Sequence, residues 1–454
     1  MRSSRSTSSA SRSRRPGPTA RQVDGVRVQQ STAATVQRAA IRFGALPKTI
    51  RWLAFITLAL GILVLRRPET ITRAEFFYED GQVFYVGAFF GGALDQVFRQ
   101  YEGYLLVVPR LIAMLERLVP PASAPLVGNV ASLLIVAGLA AYIASDRLAN
   151  VIPERRTRIV LAIALLVLPG AWETLGSMTL VQWYLALFLV LAGIAGPPAS
   201  RAAAVAELTA IAAAGLTGPF SLLLAPVYWV RAWRSRDRWS MATAAVITIA
   251  AAVQLVVLLL SGERSGAMPS LYAIGEVMTV RLWASVIGGL WMSALIPVGI
   301  PAVLAGAASL LLIAGLVLVL PAVPRAARFA LAYGALAIVG ATLLDQPAGL
   351  PVSPYLAGRY FLLLSAVVAF AAAIAVLHID RLRPGARVAA LAIAGLVLLG
   401  TVGDFRLPAH SDYHWAERAA CIGGPVPCDL PVEFPNVWTV HWPGSSGTYI
   451  QPNP

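Results

Sequence analysis

Apolar residues are grouped along this chain in blocks long enough to cross a bilayer, parted by short polar stretches. The blocks at 239–260, 296–320 and 360–377 are the clearest, and 160–168 is a shorter one of the same character. A run of roughly 20 apolar residues reaches across the hydrocarbon as a helix, and a helix satisfies its own backbone where no water can. The pattern predicts spans near 50–66, 122–143, 158–171, 180–196, 203–215, 218–231, 240–260, 296–320, 326–344, 360–378 and 387–403. That is an all-α polytopic membrane protein of about eleven transmembrane helices. Residues 201–231 are short for two crossings, yet one crossing would carry Arg231, Arg234, Arg236 and Arg238 to the wrong side. A pair of short helices joined at Leu216-Thr217-Gly218-Pro219 resolves this. Residues 272–295 read as an interfacial helix, because a further crossing would move Arg325, Arg328 and the 381–387 cluster outside.

Composition agrees with a bilayer protein: 58% of the 454 residues are hydrophobic and 13% are charged, with a mean hydropathy of +0.71. The net charge of +14 raises nucleic acid as a partner. Its positive clusters at 2–27, 147–158, 231–238 and 381–387 fall between apolar blocks, however, which is the signature of loops held inside by anionic lipid. Membrane lipids are therefore the expected partners, and nucleic acid is not. Residues 1–49, rich in Ser and Arg, read as a disordered basic cytoplasmic tail. They are no secretory signal, since the block after them ends in Arg66 and Arg67 rather than in a small-residue cleavage site. An odd number of spans from a cytoplasmic N-terminus makes 50–403 the transmembrane domain of a plasma-membrane protein and leaves 404–454 as a small extracytoplasmic segment.

Candidate chemistry gathers in the first outer loop, 68–121. It holds Glu75, Glu79, Asp80, Asp95, Glu102 and Arg110 among the rings of Phe76, Phe77, Tyr78, Phe84, Tyr85, Phe89, Phe90, Tyr101 and Tyr104. A solvated loop has little use for so many rings, so amphipathic helices on the membrane surface are expected, with a carboxylate over a cavity at the lipid boundary. Asp80 before Gly81 has a second reading, as a helix cap or turn former that accepts amide hydrogens. Cys421 and Cys428, seven residues apart in a Pro/Gly-rich tail, suit a loop-closing disulfide. His410 and His414 at i,i+4 keep a zinc site open as the alternative, and a divalent cation stays open with it. GxGxxG, Walker and HExxH motifs are absent from the sequence.

A carboxylate beside arginines at a membrane surface suits a transferase whose sugar donor hangs on a lipid phosphate. The acid takes the proton of an acceptor hydroxyl while arginines meet the charge on the leaving phosphate. The order of motifs is Glu79-Asp80 after the first helix, an aromatic loop running to Tyr104-Leu105 and Val108-Pro109-Arg110, the helix pair broken at Leu216-Thr217-Gly218-Pro219, and a late loop ending in Gly358-Arg359-Tyr360. In this order, over about 50–403, the chain resembles the integral-membrane glycosyltransferases of the GT-C fold. The resemblance implies a sugar donor on a polyprenyl-phosphate carrier and a cell-envelope acceptor, glycan, lipid or protein, at the outer face. It implies Asp80 as base with Glu79 as rival, and Arg110, Arg359 and Tyr360 at the donor phosphate. Gly218 departs from it, since many such enzymes carry a lysine or arginine there, and the tail is far smaller than their soluble outer domains.

Glu102 and Tyr104 in the first loop, Trp172-Glu173 and Gln182-Trp183-Tyr184 around an outer turn, and His410 and His414 in the tail are candidates for contact with sugar or acceptor. An aromatic belt explains the tryptophans equally. Glu263, Arg264, Glu276 and Arg281 read either as cleft lining or as surface pairs, Asp345 as a turn residue, and His378 with Asp380 as cytoplasmic interface groups. Two rivals come from other classes. A transporter or flippase needs carboxylates inside its spans, where Glu207 is the main one, and a noncatalytic envelope scaffold would use the outer rings for protein contacts.

Overall fold

The computed structural model describes residues 47–262, 323–345, 358–433 and 438–451, with isolated positions between 289 and 320. The expected basic tail, the 272–295 helix, the 296–320 span and the residues Glu263, Arg264, Glu276 and Arg281 lie outside the described residues. The chain divides into two compact units, Met1–Phe55 and Ile56–Pro454. The described part of the first is the start of helix α1, Lys48–Arg66, where Trp52 and Phe55 meet edge to face at 6.1 Å.

The second unit is largely helical. After the outer loop and its helix α2, Val107–Glu116, come α3, Ala124–Ala144, α4, Arg155–Leu166, and α5, Val181–Ile194. Helices α6, Arg201–Gly215, α7, Phe220–Ser235, and α8, Arg238–Ser261, follow. The last long ones are α9, Arg325–Asp345, α10, Leu362–Leu377, and α11, Pro384–Gly403. Among the described residues, five helical stretches are long and apolar enough to cross a bilayer: Thr49–Arg66, Pro121–Ala144, Arg238–Ser261, Gly358–Leu377 and Pro384–Gly403. The protein is a multi-pass membrane protein. Local chemistry sets the helix ends, with Ser200 accepting from the Ala203 amide and Asp237 from the Ser240 amide at the N-caps of α6 and α8. Arg236 in the left-handed region closes α7.

Burial shows which helices are central. Within Gly358–Leu377 78% of the most apolar 18-residue window is buried, against 17% of that in Pro384–Gly403, so α10 forms the middle of the unit and α11 its rim. Helix α8 has the polarity of a lipid-facing helix. Thr243, Ile247, Ala250 and Gln254 turn inward at helical spacing while Ile249, Val256 and Leu260 face out. Buried Gln254 accepts from the Leu105 amide at 2.9 Å and donates to the carbonyls of Leu105 at 3.2 Å and Gly218 at 3.0 Å. It joins a bilayer helix to the outer loop and to the break between α6 and α7 in one stroke. Strands β1, Gln100–Tyr101, and β2, Tyr104–Leu105, form a short hairpin whose end is fastened to that break, Gly218 N donating to Leu105 O at 2.8 Å and Val107 N to Leu216 O at 3.2 Å.

Many of the outer-loop rings are buried in protein. Phe76 and Tyr85 pack with Trp415, Val440 and Trp442 of the C-terminal segment, while Phe84 and Tyr101 pack with Ile112 and Met178. An amphipathic helix is present in α2, whose Leu111 and Leu115, with Leu118 beyond its end, are exposed. The C-terminal segment carries a second hairpin, β3, Cys428–Pro431, with β4, Thr439–Trp442, and a disulfide joins Cys421 to Cys428. The small tail is thus a brace on the outer loop.

Gly218 has φ +84°, and a Cβ there would stand 2.8 Å from both Gln182 Oε1 and a Phe220 ring carbon. A side chain would strain the backbone and push into the α5–α7 contact at once, so Gly218→Ala should lower stability by about 1–3 kcal/mol. Thermal unfolding of the detergent-solubilised protein measures this, and an unchanged midpoint would show that the break tolerates a Cβ.

Candidate functional site

Residues 78–86 enter the protein interior through an unusual backbone. Tyr78 is a non-glycine residue in the left-handed region, φ 52°, and the chain then winds into a π-helix, Asp80–Val86, every residue of which is buried. Both features are rare, carry strain, and concentrate where a side chain must be aimed against local preference. Gly81 lets β4 approach, since a Cβ there would lie 2.5 Å from Val440 Cγ2. From the tail, Tyr449 donates its hydroxyl to the Gln82 carbonyl at 2.9 Å, and the His441 amide donates to Gln82 Oε1. From α2, Arg110 donates to the Val83 carbonyl at 2.8 Å and to Gln451 Oε1 at 3.0 Å, its guanidinium 4.7 Å from the Phe84 ring centre.

The adjacent carboxylates have different surroundings. Asp80, 2% exposed, accepts from the Met178 amide at 3.1 Å, the Thr179 amide at 2.9 Å, the Ser177 hydroxyl at 3.2 Å and the Thr179 hydroxyl. It organises the turn that opens α5. Burial pushes its carboxyl up to about 6, and these four hydrogen bonds hold it from rising further, so at neutral pH it is an anion with its oxygens occupied. Glu79 is also buried, and its Oε2 has no hydrogen-bond partner among the described residues. Desolvation pushes this carboxyl up to about 8, with Arg359 opposing and Glu102 adding to the rise.

Around Glu79 stands a charged and aromatic cluster. Arg359, ahead of α10, forms an ion pair with buried Glu173, and its own amide donates to Glu173 Oε2 at 2.9 Å. Tyr78 donates to Glu173 Oε1 at 3.3 Å, and Arg359 Nη2 lies 3.2 Å from the Tyr360 hydroxyl. The Arg359 guanidinium lies 4.8 Å from the Tyr360 ring centre and 5.7 Å from that of Tyr78. Trp183 meets Tyr360 edge to face at 5.1 Å and Phe220 at 5.0 Å. On the other flank Tyr104 donates to Glu102 Oε2 at 3.1 Å, with Glu102 itself at φ 51°, and the Tyr101 hydroxyl is buried without a partner among the described residues. Burial pushes the Tyr101 and Tyr104 hydroxyls up, with Glu102 adding to both.

Of the residues singled out in the sequence, Glu79, Glu102, Tyr104, Glu173, Arg359 and Tyr360 come together here, and Gln182 lies beside the α6–α7 break. Asp80 faces the 177–179 turn, and Arg110 is bound to the π-helix and the tail. Trp172 donates to the Pro408 carbonyl at 3.0 Å, and His410 stacks on Phe77 at 4.2 Å with Arg67 Nη1 2.8 Å away. Burial and Arg67 hold the His410 imidazole well below its ordinary value. His414, exposed, faces Asp412. Among the described residues no group of three or more His, Cys, Asp or Glu could hold a metal ion. Tyr78, Tyr101 and Trp183 complete the cluster, although in the sequence they stand only as rings among many. No protein-family model matches this chain, and no curated protein sequence matches it either.

Two stability outcomes follow from the carboxylates. Asp80→Ala leaves buried donors unsatisfied, at about 1–3 kcal/mol for each, and should unfold at markedly lower denaturant or temperature than the parent. An unaltered midpoint would show that the turn holds itself. For Glu79 the folded carboxyl is raised, so its contribution to stability is complete below the ordinary glutamate range and is lost as pH rises through about 8. Glu79→Gln should therefore flatten the decline of the melting temperature between the ordinary glutamate range and about pH 8, and identical pH profiles for the two proteins would contradict the assignment.

Proposed function

We propose that this protein is a glycosyltransferase that moves a sugar from a polyprenyl-phosphate carrier to a cell-envelope acceptor at the outer face of the membrane. The GT-C-like architecture of about eleven spans, with the N-terminus inside and the C-terminus outside, belongs to the same proposal. One observation carries it: a buried carboxyl with a vacant oxygen, Glu79, is held by a strained backbone beside an arginine whose position is fixed by Glu173 and Tyr360. Acid and arginine in one place are what transfer from a phosphate leaving group requires.

In this reading Glu79 is the base and Asp80 its positioning neighbour. The acceptor hydroxyl gives its proton to Glu79, its oxygen bonds to the anomeric carbon, and the bond from that carbon to the carrier phosphate oxygen breaks with its electron pair on the phosphate. Arg359 meets the developing charge, and Glu173 keeps the guanidinium aimed. Tyr78, Tyr101, Tyr104, Trp183 and Tyr360 supply the ring faces on which sugars pack. The exposed Leu111, Leu115 and Leu118 suit contact with the bilayer surface from which a lipid-linked donor arrives. A carrier reading is less well supported, since the carboxylate of Glu207 is taken by Arg147 at 2.6 and 2.7 Å and by the Tyr142 hydroxyl at 3.0 Å.

Glu79→Gln should keep the fold and lower turnover by at least about 100-fold, and parent turnover should rise with pH through about 8 as the base ionises. Near-normal transfer by the Gln protein would remove Glu79 as base. Arg359→Ala should weaken binding of the lipid-phosphate donor more than that of the acceptor, and unchanged donor affinity would end its role at the phosphate. Mass analysis of lipid-linked sugars and envelope glycans in cells lacking the protein tests the activity itself, which an unaltered profile would contradict.

A further inference from the structure

At the opposite end of α5 and α7 from the Glu79 cluster, the helices part around a groove of about 540 Å³. Its walls are apolar, with Val151, Ile194, Val227, Val230, Phe329 and Ala330 among them, and Arg231 and Arg234 stand at its rim. The two sites are separated by the length of α5, 14 residues, or ~20 Å at helical rise. Phe329 and Val230 are exposed, so the groove opens sideways where a membrane protein meets lipid.

We propose that this groove binds an anionic glycerophospholipid, an acyl chain against the apolar wall and the phosphate on Arg231 and Arg234. Three observations specify this occupant. The volume and apolar lining are those of a ligand site rather than of a packing defect. Arg231 is anchored through Nη1 to the carbonyls of Ala192 and Gly193 at 3.2 and 3.3 Å, the C-terminal end of α5, which fixes its guanidinium against the groove it lines. Neither Arg231 nor Arg234 forms an ion pair among the described residues; the Asp237 carboxylate acts on Arg231 at a distance, which leaves Arg234 the freer of the two for a phosphate. Finally, Trp229 and Trp233 are exposed on the same helix, 45% and 71%, which sets this level at the headgroup region. The basic clusters at this end mark it as the face turned toward anionic lipid. The inference stands on the membrane fold and is independent of the reaction at the other end.

The test is native mass spectrometry of the full-length protein released from a neutral detergent, titrated with dioleoyl phosphatidylglycerol or dioleoyl phosphatidylcholine. The parent should retain one phosphatidylglycerol about tenfold more tightly than phosphatidylcholine. Arg234→Gln, at an exposed position that folding does not depend on, should erase this preference while leaving phosphatidylcholine binding as it was. Ala330→Phe, which fills the groove, should weaken retention of both lipids. Arg155→Gln with Arg156→Gln, an exposed pair in a neighbouring basic cluster, should change neither. Equal retention of the two lipids by the parent, an unaltered preference in Arg234→Gln, or unaltered binding in Ala330→Phe would overturn the proposal. So would a loss of preference in the Arg155/Arg156 variant as large as in Arg234→Gln, because diffuse surface charge would then explain the binding.

Discussion

The carboxylate of Asp80 is the constraint on which the surroundings of the Glu79 cluster depend. Its four hydrogen bonds to Ser177, Met178 and Thr179 tie the strained 78–86 segment to the turn that starts α5. Those two segments bring all the other elements with them: Trp183 and Gln182 on the next turn of α5, Glu173 a few residues before it, and Arg359 through Glu173. A charge buried with so many donors is a strong anchor, because removing it leaves several polar groups with neither water nor partner. The left-handed Tyr78 and the π-helix are tolerable on the same ground, since strain of ~1–3 kcal/mol persists only where surroundings fix the backbone from several sides. The C-terminal segment supplies another side through Tyr449, His441 and Val440.

Two adjacent acids in this setting divide the work by environment rather than by residue type. Asp80 is met by donors and stays ionised at neutral pH. Glu79 is also buried, but its Oε2 meets no donor among the described residues and it has Glu102 for a neighbour, so its proton is held far above the ordinary carboxyl range. A carboxyl that releases its proton near physiological pH, with a vacant oxygen, is suited to proton exchange with a bound hydroxyl. The anion that accepts four donors is suited to holding still.

Much of the helical layout was legible because lipid enforces a simple rule on sequence. Helices stand at 48–66, 124–144, 155–166, 181–194, 201–215, 220–235, 238–261, 325–345, 362–377 and 384–403, each within several residues of an apolar block. The break at Leu216-Thr217-Gly218-Pro219 was legible from the arginine pattern together with Gly and Pro. The different surroundings of Glu79 and Asp80 were not, since they come from residues about a hundred positions away, which no local pattern encodes. Arg110 was singled out for a phosphate, and its guanidinium meets the Val83 carbonyl and Gln451, because a guanidinium suits carbonyl oxygens as well as phosphates. The crowding of rings in the first loop pointed to a surface on lipid, whereas many of them are covered by the tail, whose Trp415 and Trp442 carry no periodicity that would have announced a core.

The buried arginines make a last electrostatic point. Arg66 donates to the Leu166 carbonyl at 2.9 Å and the Leu168 carbonyl at 2.8 Å, and Arg67 to the Leu175 carbonyl at 2.8 Å, while Arg110 is likewise held by a carbonyl and an amide. These cations are fixed by dipoles, which orient a charge without cancelling it. Meanwhile burial keeps Glu79 and Glu116 inclined to the neutral form. Asp404 lies near Arg66, and Glu69 and Glu433 lie near Arg67, so carboxylates offset the arginine charges at a distance while the dipoles set their direction. Arg359 differs from these arginines in being paired with a buried carboxylate, Glu173, so its charge is balanced where it stands while theirs is only oriented.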